Sequence, residues 1–246
     1  MLVHSEKSNG VSIKHCQAEK EVHPHSPLIP ITNGINPDRW GMDHSRQNLV
    51  EFINSTTGSH LDPNVLTVVW ARRLTAYKQP ELLLSNLSLL SDLKIQFIIA
   101  GPVVTSDPGS LAIANRLRQA VSPKLAFLPH YSLSIAKVLV GGADVWLNTP
   151  IVGKEACGTS GMKAGLNGAL LMTTVDGWAA EVKEEEVGWF INDAADLYEK
   201  LKTSVVPLFY DHPDQWTKRS ETIKNLIKTK FTTARMLEDY KNKLYA

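Results

Sequence analysis

The feature that most constrains the fold is a regular alternation of short apolar runs and helical stretches between positions 65 and 174. The predicted strands are Val65–Ala71, Lys94–Ala100, Lys124–Leu128, Ala143–Leu147 and Ala169–Thr174. The predicted helices are Gln79–Leu90, Ser110–Val121, Ser132–Val140, Asp193–Leu208, His212–Lys228 and Thr232–Tyr245. Apolar strands separated by single helices are typical of βαβ units. We therefore predict an α/β fold with a Rossmann-like parallel sheet flanked by helices, whose ligands bind beyond the carboxyl ends of the strands.

The composition narrows the possible partners. The chain is 43% hydrophobic and 21% charged, with a formal net charge of +1. This balance argues against disorder and gives no electrostatic reason to expect nucleic acid or an anionic membrane as a partner. Cys16 and Cys157 have no metal-ligand spacing, so we predict two free thiols and no metal site. Without a membrane-length apolar run or a signal-peptide pattern, a soluble, cytoplasmic protein is expected.

A glycine-rich segment with an acid and a lysine, EACGTSGMKAGLNG at positions 155–168, follows the fourth strand. Gly158 and Thr159 fall where backbone N–H groups at a helix start can bind a phosphate. Lys163 lies about one turn into that helix, and its amine can form a Schiff base. Taken alone, the segment is more often a βα-turn with a solvated lysine.

Two other segments carry polar groups near turns. ARRLTAYK at positions 71–78 directly follows the first predicted strand and places Arg72, Arg73 and Lys78 close together. These cations can hold phosphate oxygens, although a basic surface turn is an equally good interpretation. ITNGINPDRW at positions 31–40 contains Asn-Gly and Asn-Pro, which by themselves predict a tight turn.

In combination, these three segments resemble the α-glucan phosphorylase family, which includes the glycogen, starch and maltodextrin phosphorylases. The stretch WLNTPIVGKEACGTSGMKAGLNGALLMTTVDGWAAE is similar to the family's cofactor-lysine signature, in its bacterial form. SNGVSIKH near the start and FTTARMLEDYKNKLY at the end resemble a late segment of the family's N-terminal half and its final helix. The resemblance covers nearly the whole chain.

The resemblance implies a fold and a reaction. The chain would be the C-terminal half of a two-Rossmann, B-type glycosyltransferase fold. Residues 1–30 would be a remnant of the glucan-binding half plus a connector, residues 31–230 the Rossmann-like cofactor and phosphate domain, and residues 231–246 the C-terminal helix. Phosphorylases cleave an α-1,4-glucan with inorganic phosphate and release glucose 1-phosphate, so these molecules are the expected partners.

The resemblance also implies roles for individual residues. Lys163 matches the lysine that carries pyridoxal 5′-phosphate as a Schiff base. The other implied cofactor-binding residues are Gly158, Thr159, Arg72 and Tyr131. Arg73 and Lys78 match cations that hold the substrate phosphate, and with Lys163 they form the implied catalytic set. The implied glucosyl-binding residues are Asn33, Tyr77, Glu155, Cys157 and Gly158.

The chain departs from the family in two residues and in length. Ser132 stands where many glycogen phosphorylases have an arginine, and Cys157 replaces the more usual serine. Most of the family's N-terminal half is absent, which leaves three interpretations. In the first, the chain is the cofactor-bearing half of a phosphorylase, inactive without the N-terminal half, which is either a separate chain or lost in truncation. Alternatively, it is a non-catalytic remnant that binds pyridoxal phosphate or a phosphosugar and associates with a protein partner or with itself. A nucleotide-sugar glycosyltransferase is the third, and it leaves the cofactor-lysine signature unexplained.

Overall fold

The computed structural model describes residues 6–85 and 92–246, and a parallel sheet forms its centre. The six strands are β3 (Leu66–Ala71), β4 (Ile95–Ala100), β5 (Leu125–Leu128), β6 (Val145–Asn148), β7 (Leu170–Thr173) and β8 (Gly188–Phe190). Two earlier strands, β1 (Ser8–Gly10) and β2 (Leu28–Pro30), pair in parallel outside this sheet. The predicted α/β, Rossmann-like fold class is confirmed.

Helices connect the strands and cover the sheet. They are α1 (Ile13–Val22), α2 (Pro37–Trp40), α3 (Arg46–Thr57), α4 (Pro108–Ala120), α5 (Leu133–Gly142), α6 (Thr159–Leu166), α7 (Glu184–Val187), α8 (Ala194–Lys200), α9 (Val206–Asp211), α10 (Pro213–Lys230) and α11 (Thr233–Asp239). Helix α5 contacts both α3 and α6, and α6 in turn contacts α10. Every residue of β3 to β7 is buried, as expected for strands covered on both faces.

The strand order places a binding crevice at the middle of the sheet. The order is β5-β4-β3-β6-β7-β8, so β3, the first of these six strands in sequence, lies at the centre and the chain winds away from it in both directions. Beyond the carboxyl ends of β3 and β6 the connections leave in opposite directions, which opens a crevice at this topological switch point. The segments after β3 and β6 are those that begin at Arg72 and Thr149.

Three predicted helices differ from the structure, the last of them at the carboxyl end of the chain. Over positions 79–85 the chain forms a 3₁₀ turn at Pro80–Leu82 and no α-helix, because Gln79 adopts a left-handed conformation (φ 47°) that ends the preceding turn. The rest of the predicted helix at Gln79–Leu90 lies outside the described residues. The predicted helix at Asp193–Leu208 is divided into α8 and α9 by a π-helical segment, Leu201–Val205. Pro207 follows, in the first turn of α9, where its missing N–H is tolerated.

The two ends of the described chain pack near each other. Asn9 Nδ2 donates to the Tyr240 hydroxyl at 2.9 Å, and a parallel bridge joins Ile35, just before α2, to Thr232, just before α11. The predicted helix at Thr232–Tyr245 is α11 followed by a π-helical turn, Tyr240–Leu244. Within residues 6–85 and 92–246, no helix is long and apolar enough to cross a bilayer.

Candidate functional site

A buried group of charges lies at the switch point of the sheet. Arg72 follows the last residue of β3, and its Nη1 donates to Glu155 Oε2 at 3.2 Å. Lys78, in the 3₁₀ turn Ala76–Lys78, donates to the same carboxylate oxygen. The three side chains are 7% (Arg72), 8% (Lys78) and 9% (Glu155) exposed. Two buried cations therefore share one carboxylate, which leaves an excess positive charge at the crevice.

Arg72 retains unused hydrogen-bonding capacity. Its Nη2 donates to Ser160 Oγ at 3.2 Å, in the first turn of α6. Its buried Nε has no hydrogen-bond partner among the described residues. Burial lowers the pKa of the guanidinium, while the Glu155 carboxylate acts in the opposite direction. A buried donor without an acceptor is costly, so this position fits an additional anionic oxygen.

The residue that follows β6 holds the loop that carries Lys78. Thr149, immediately after β6, is fully buried, and its hydroxyl donates to the Lys78 carbonyl at 2.8 Å. It also accepts a hydrogen bond from Trp70 Nε1 at 3.0 Å. The Lys78 amine lies 4.5 Å from the centre of the Tyr77 ring. These contacts hold the cation at the end of β3 close to the end of β6.

Lys163 lies in the second turn of α6, three residues after Ser160 and so on the same side of the helix. Its amine lies 4.0 Å from the centre of the Trp40 ring. Asn167 joins the two segments, since its Nδ2 donates to the carbonyl of Trp40 at 2.9 Å and to that of Lys163 at 2.8 Å. Burial, and secondarily the charge of Arg39, lowers the pKa of the Lys163 amine. A lowered pKa increases the neutral, nucleophilic fraction of the amine.

The backbone at the start of α6 allows an anion to approach closely. Gly158 caps the helix in a left-handed conformation with φ 82°. A Cβ at Gly158 would lie 3.3 Å from Glu155 Cγ, so the absence of a side chain at this position leaves room for the Glu155 side chain. Cys157 is buried, and burial raises the pKa of its thiol to about 12 although the nearby Asn33 backbone acts in the opposite direction. The thiol is therefore neutral and unreactive at neutral pH.

Comparisons with known proteins identify the family of this chain. A family model described as carbohydrate phosphorylase matches residues 111–190. Glycogen phosphorylase of Mycobacterium tuberculosis is 37% identical over 215 residues, which cover 75% of this chain and 25% of that protein. Glycogen phosphorylase of Aquifex aeolicus is 36% identical over 272 residues, covering 92% of this chain and 39% of that protein. The chain belongs to the carbohydrate phosphorylase family.

The fold of this phosphorylase-family chain also matches a solved structure. A glycosyltransferase from Rickettsia africae ESF-5 superposes with a TM-score of 0.77 at 21% identity, covering 95% of this chain and 61% of that one. This similarity supports the assignment of the fold to one half of a B-type glycosyltransferase. The chain spans only 25% and 39% of the two glycogen phosphorylases. The activity of the whole relatives therefore does not transfer to it directly.

The structure brings several of the predicted site residues of this family member together. Those in mutual contact are Arg72, Lys78, Glu155 and, through its ring, Tyr77. Arg73 is exposed, and its Nη2 lies 3.5 Å from the Tyr77 hydroxyl. Tyr131 is 40% exposed. Burial raises the pKa of its phenol, and the charge of Arg72 opposes that rise.

The remaining predicted residues lie around this group. Gly158 and Thr159 form the start of α6, while Asn33 lies near Cys157, the residue before Gly158. Sequence reasoning did not assign roles to Thr149, Asp176 or Trp40. Asp176 and Trp40 lie within the quoted segments VDGWAAE and ITNGINPDRW, but their importance depends on partners that are distant in sequence.

Proposed function

We propose that this chain supplies the cofactor-bearing half of an α-glucan phosphorylase site. Such a site transfers a glucosyl unit from an α-1,4-glucan to inorganic phosphate and gives glucose 1-phosphate. The observation that carries the proposal is the meeting of Arg72, Lys78 and Glu155 at the start of the helix that holds Lys163. We further propose a cytoplasmic location, in keeping with a pathway that uses free phosphate.

The residues present fit pyridoxal 5′-phosphate. The half-buried Lys163 amine, with its lowered pKa, would attach the cofactor, and the N–H groups at Thr159 and Ser160 would receive its phosphate. Arg72, whose Nε has no partner among the described residues, would supply a further donor. When bound in phosphorylases, the cofactor supplies a phosphate group that exchanges a proton with the substrate phosphate.

The substrate phosphate would be held by Lys78 and Arg73. In the described structure Glu155 neutralises part of the charge on the buried cations. An arriving phosphate would take over Lys78, and Glu155 would then accept hydrogen bonds from glucosyl hydroxyls. Cations fixed in advance stabilise the charge that develops on the phosphate without reorganisation during the reaction. The opposite wall of the crevice would come from an N-terminal half, within a longer chain or as a separate partner.

The attachment of the cofactor at Lys163 is the first test. Purified chain is titrated with pyridoxal phosphate, reduced with borohydride and digested, and the labelled peptide is mapped. We expect the label on Lys163, its loss in Lys163→Ala, and its retention in the control Lys154→Ala, which removes an exposed lysine of the preceding loop. Alanine is well tolerated in a helix, so the fold of Lys163→Ala should persist. Label on other lysines with none on Lys163 would refute the assignment.

A second candidate function is the binding of pyridoxal phosphate or a phosphosugar without catalysis, in association with a protein partner. The exposed apolar side chains of Ile151 and Val152, 44% and 56% exposed, favour a partner at the loop after β6. Supplying an N-terminal half from a relative separates the two candidates. Glucose 1-phosphate formation from glucan and phosphate in the mixture supports the phosphorylase function. Complex formation without turnover supports the second candidate.

A further inference from the structure

Asp176, in the turn after β7, faces the loop that leads to α6. It is 1% exposed. Its Oδ2 accepts hydrogen bonds from three consecutive backbone N–H groups, those of Gly153 at 2.8 Å, Lys154 at 3.1 Å and Glu155 at 2.9 Å. Its Oδ1 accepts from the N–H of Gly177 at 2.9 Å. Successive N–H groups that converge in this way form an anion-binding nest, and here the chain's own carboxylate fills it.

The residues beside Asp176 fix the next part of the same loop. The N–H of Trp178 donates to the Cys157 carbonyl at 3.0 Å. Gly177 has φ 57°, and a Cβ there would lie 2.3 Å from the Cys157 carbonyl oxygen, so the two backbones touch. From the other side, Ser12 Oγ donates to the Ala156 carbonyl at 2.6 Å. The backbone of residues 153–157 is therefore held at every residue.

We propose that Asp176 is a positioning residue for Glu155. By fixing the N–H of Glu155 and of the two residues before it, Asp176 keeps the Glu155 carboxylate between Arg72 and Lys78. Within the described parts of the chain, the carboxylate of Asp176 hydrogen-bonds backbone N–H groups only, so it acts on the site through the loop. The role in ligand selection derived below rests on the proposed function, whereas the role in holding Glu155 does not.

The first consequence concerns the chain without ligand. An asparagine at position 176 offers one acceptor oxygen to four N–H groups, so Asp176→Asn releases part of the loop. Glu155 then holds Arg72 less firmly, and the buried Nε proton of Arg72 exchanges faster with water. We expect its exchange rate, measured by NMR, to rise at least about fivefold in Asp176→Asn, as expected for a local opening. Glu155→Gln should accelerate it similarly, and the double variant should add little because the two act through one contact.

Asp144→Asn is the matched control for a loss of stability alone. Asp144 is also a buried carboxylate, and it accepts from the Thr67 N–H at 2.9 Å and from Arg46 Nη1 at 2.9 Å, but it lies at the opposite, amino end of β6. In this variant the exchange rate of the Arg72 Nε proton should stay within about twofold of that in the unsubstituted chain. Each protein is measured at the same number of degrees below its own melting temperature. Equal acceleration in Asp144→Asn, or no acceleration in Asp176→Asn, would overturn the proposal.

The second consequence concerns ligand selection. In the proposed function Glu155 accepts hydrogen bonds from glucosyl hydroxyls while the cations hold phosphate. Displacement of the Glu155 carboxylate should then weaken the binding of glucose 1-phosphate more than that of inorganic phosphate. We expect the ratio of the two dissociation constants, measured by calorimetry, to shift at least about threefold in Asp176→Asn, and no further when the substitution is added to Glu155→Gln. A full additional shift on the Glu155→Gln background would show that Asp176 acts independently of Glu155, which contradicts the proposal.

A second variant and a binding control separate a failure of this proposal from a failure of the proposed function. Asp176→Glu retains the charge and moves the carboxylate, so it tests geometry alone and replaces Asp176→Asn if that variant does not fold. It should accelerate Arg72 Nε exchange, and an unchanged rate would refute the geometric argument. If the unsubstituted chain binds neither phosphate nor glucose 1-phosphate, the proposed function fails, while the exchange measurement still decides whether Asp176 positions Glu155.

Discussion

Glu155→Gln tests whether the buried charges at the switch point depend on one carboxylate. Glutamine has nearly the same shape but no charge, so the substitution leaves Arg72 and Lys78 buried without their shared counter-charge. Removing one partner of a buried ion pair typically costs about 3–5 kcal/mol in the free energy of unfolding. In a chain of 246 residues each kcal/mol lowers the melting temperature by about 2–4 °C, which predicts a decrease of about 6–20 °C.

Added inorganic phosphate should reverse part of this loss. A ligand that binds only the folded state at 100 times its dissociation constant stabilises that state by about 2.7 kcal/mol. Phosphate should bind Glu155→Gln more tightly than the unsubstituted chain, because it no longer competes with a carboxylate for Lys78. The assay is thermal unfolding with and without phosphate, at ionic strength held constant with chloride. The rise in melting temperature on adding phosphate should be larger in Glu155→Gln.

Glu81→Gln is the matched control, because Glu81 pairs with Arg116 at the surface, where the two side chains are 41% and 63% exposed. Exposed pairs contribute between zero and about 1 kcal/mol, so this variant should unfold almost as the unsubstituted chain does. Two results would refute the reasoning about Glu155. One is equal stability of Glu155→Gln and Glu81→Gln, and the other is the same phosphate response with and without the Glu155 carboxylate.

Two further predictions concern the packing of α6 and the buried thiol. A Cβ at Gly165 would lie 2.7 Å from Ile223 Cδ1, whereas at Gly161 the nearest atom would be 3.5 Å away. Overpacking should therefore lower the free energy of unfolding of Gly165→Ala by about 1–3 kcal/mol, partly offset by the higher helix propensity of alanine. In Gly161→Ala the same free energy should rise by up to about 1 kcal/mol. Equal melting temperatures of the two variants would contradict this. Because burial raises the pKa of the Cys157 thiol from 9.0 to about 12, the unfolded chain ionises first and stability falls as pH rises through this range. Cys157→Ser should reduce that fall, measured by urea unfolding at pH 8 to 11, and an unchanged slope would exclude the thiol as its source.

The sheet could be predicted because its strands are buried on both faces. Continuous apolar runs such as Val68–Ala71 and Ile98–Ala100 have few alternatives to a central parallel strand. The helix predicted from Gln79 was wrong in its described part because one residue, Gln79, adopts a positive φ that its type rarely shows. The π-helical segment at Leu201–Val205 likewise leaves no signal in the apolar pattern.

The candidate site was predictable in composition but not in its contacts. The sequence indicates three cations after β3, yet it does not tell which of them turns inward; in the structure Arg72 and Lys78 are buried and Arg73 is exposed. Asp176 is preceded by a strand and followed by glycine, which is the signature of an ordinary turn. Its partners lie 21 to 23 residues earlier in the chain, and only the folded loop brings their N–H groups onto one oxygen.

The strand order explains why the cations and the acid need separate supports. Arg72 and Glu155 are 83 residues apart and meet because β3 and β6 are neighbours at the point where the chain reverses its winding. Arg72 directly follows β3, so its backbone is held by the sheet, whereas Glu155 lies seven positions beyond the end of β6. A carboxylate on so long a connection would move relative to the cations unless its backbone were held independently. The turn after β7 provides that support through Asp176, so three adjacent parallel strands are required to fix one pair of opposite charges.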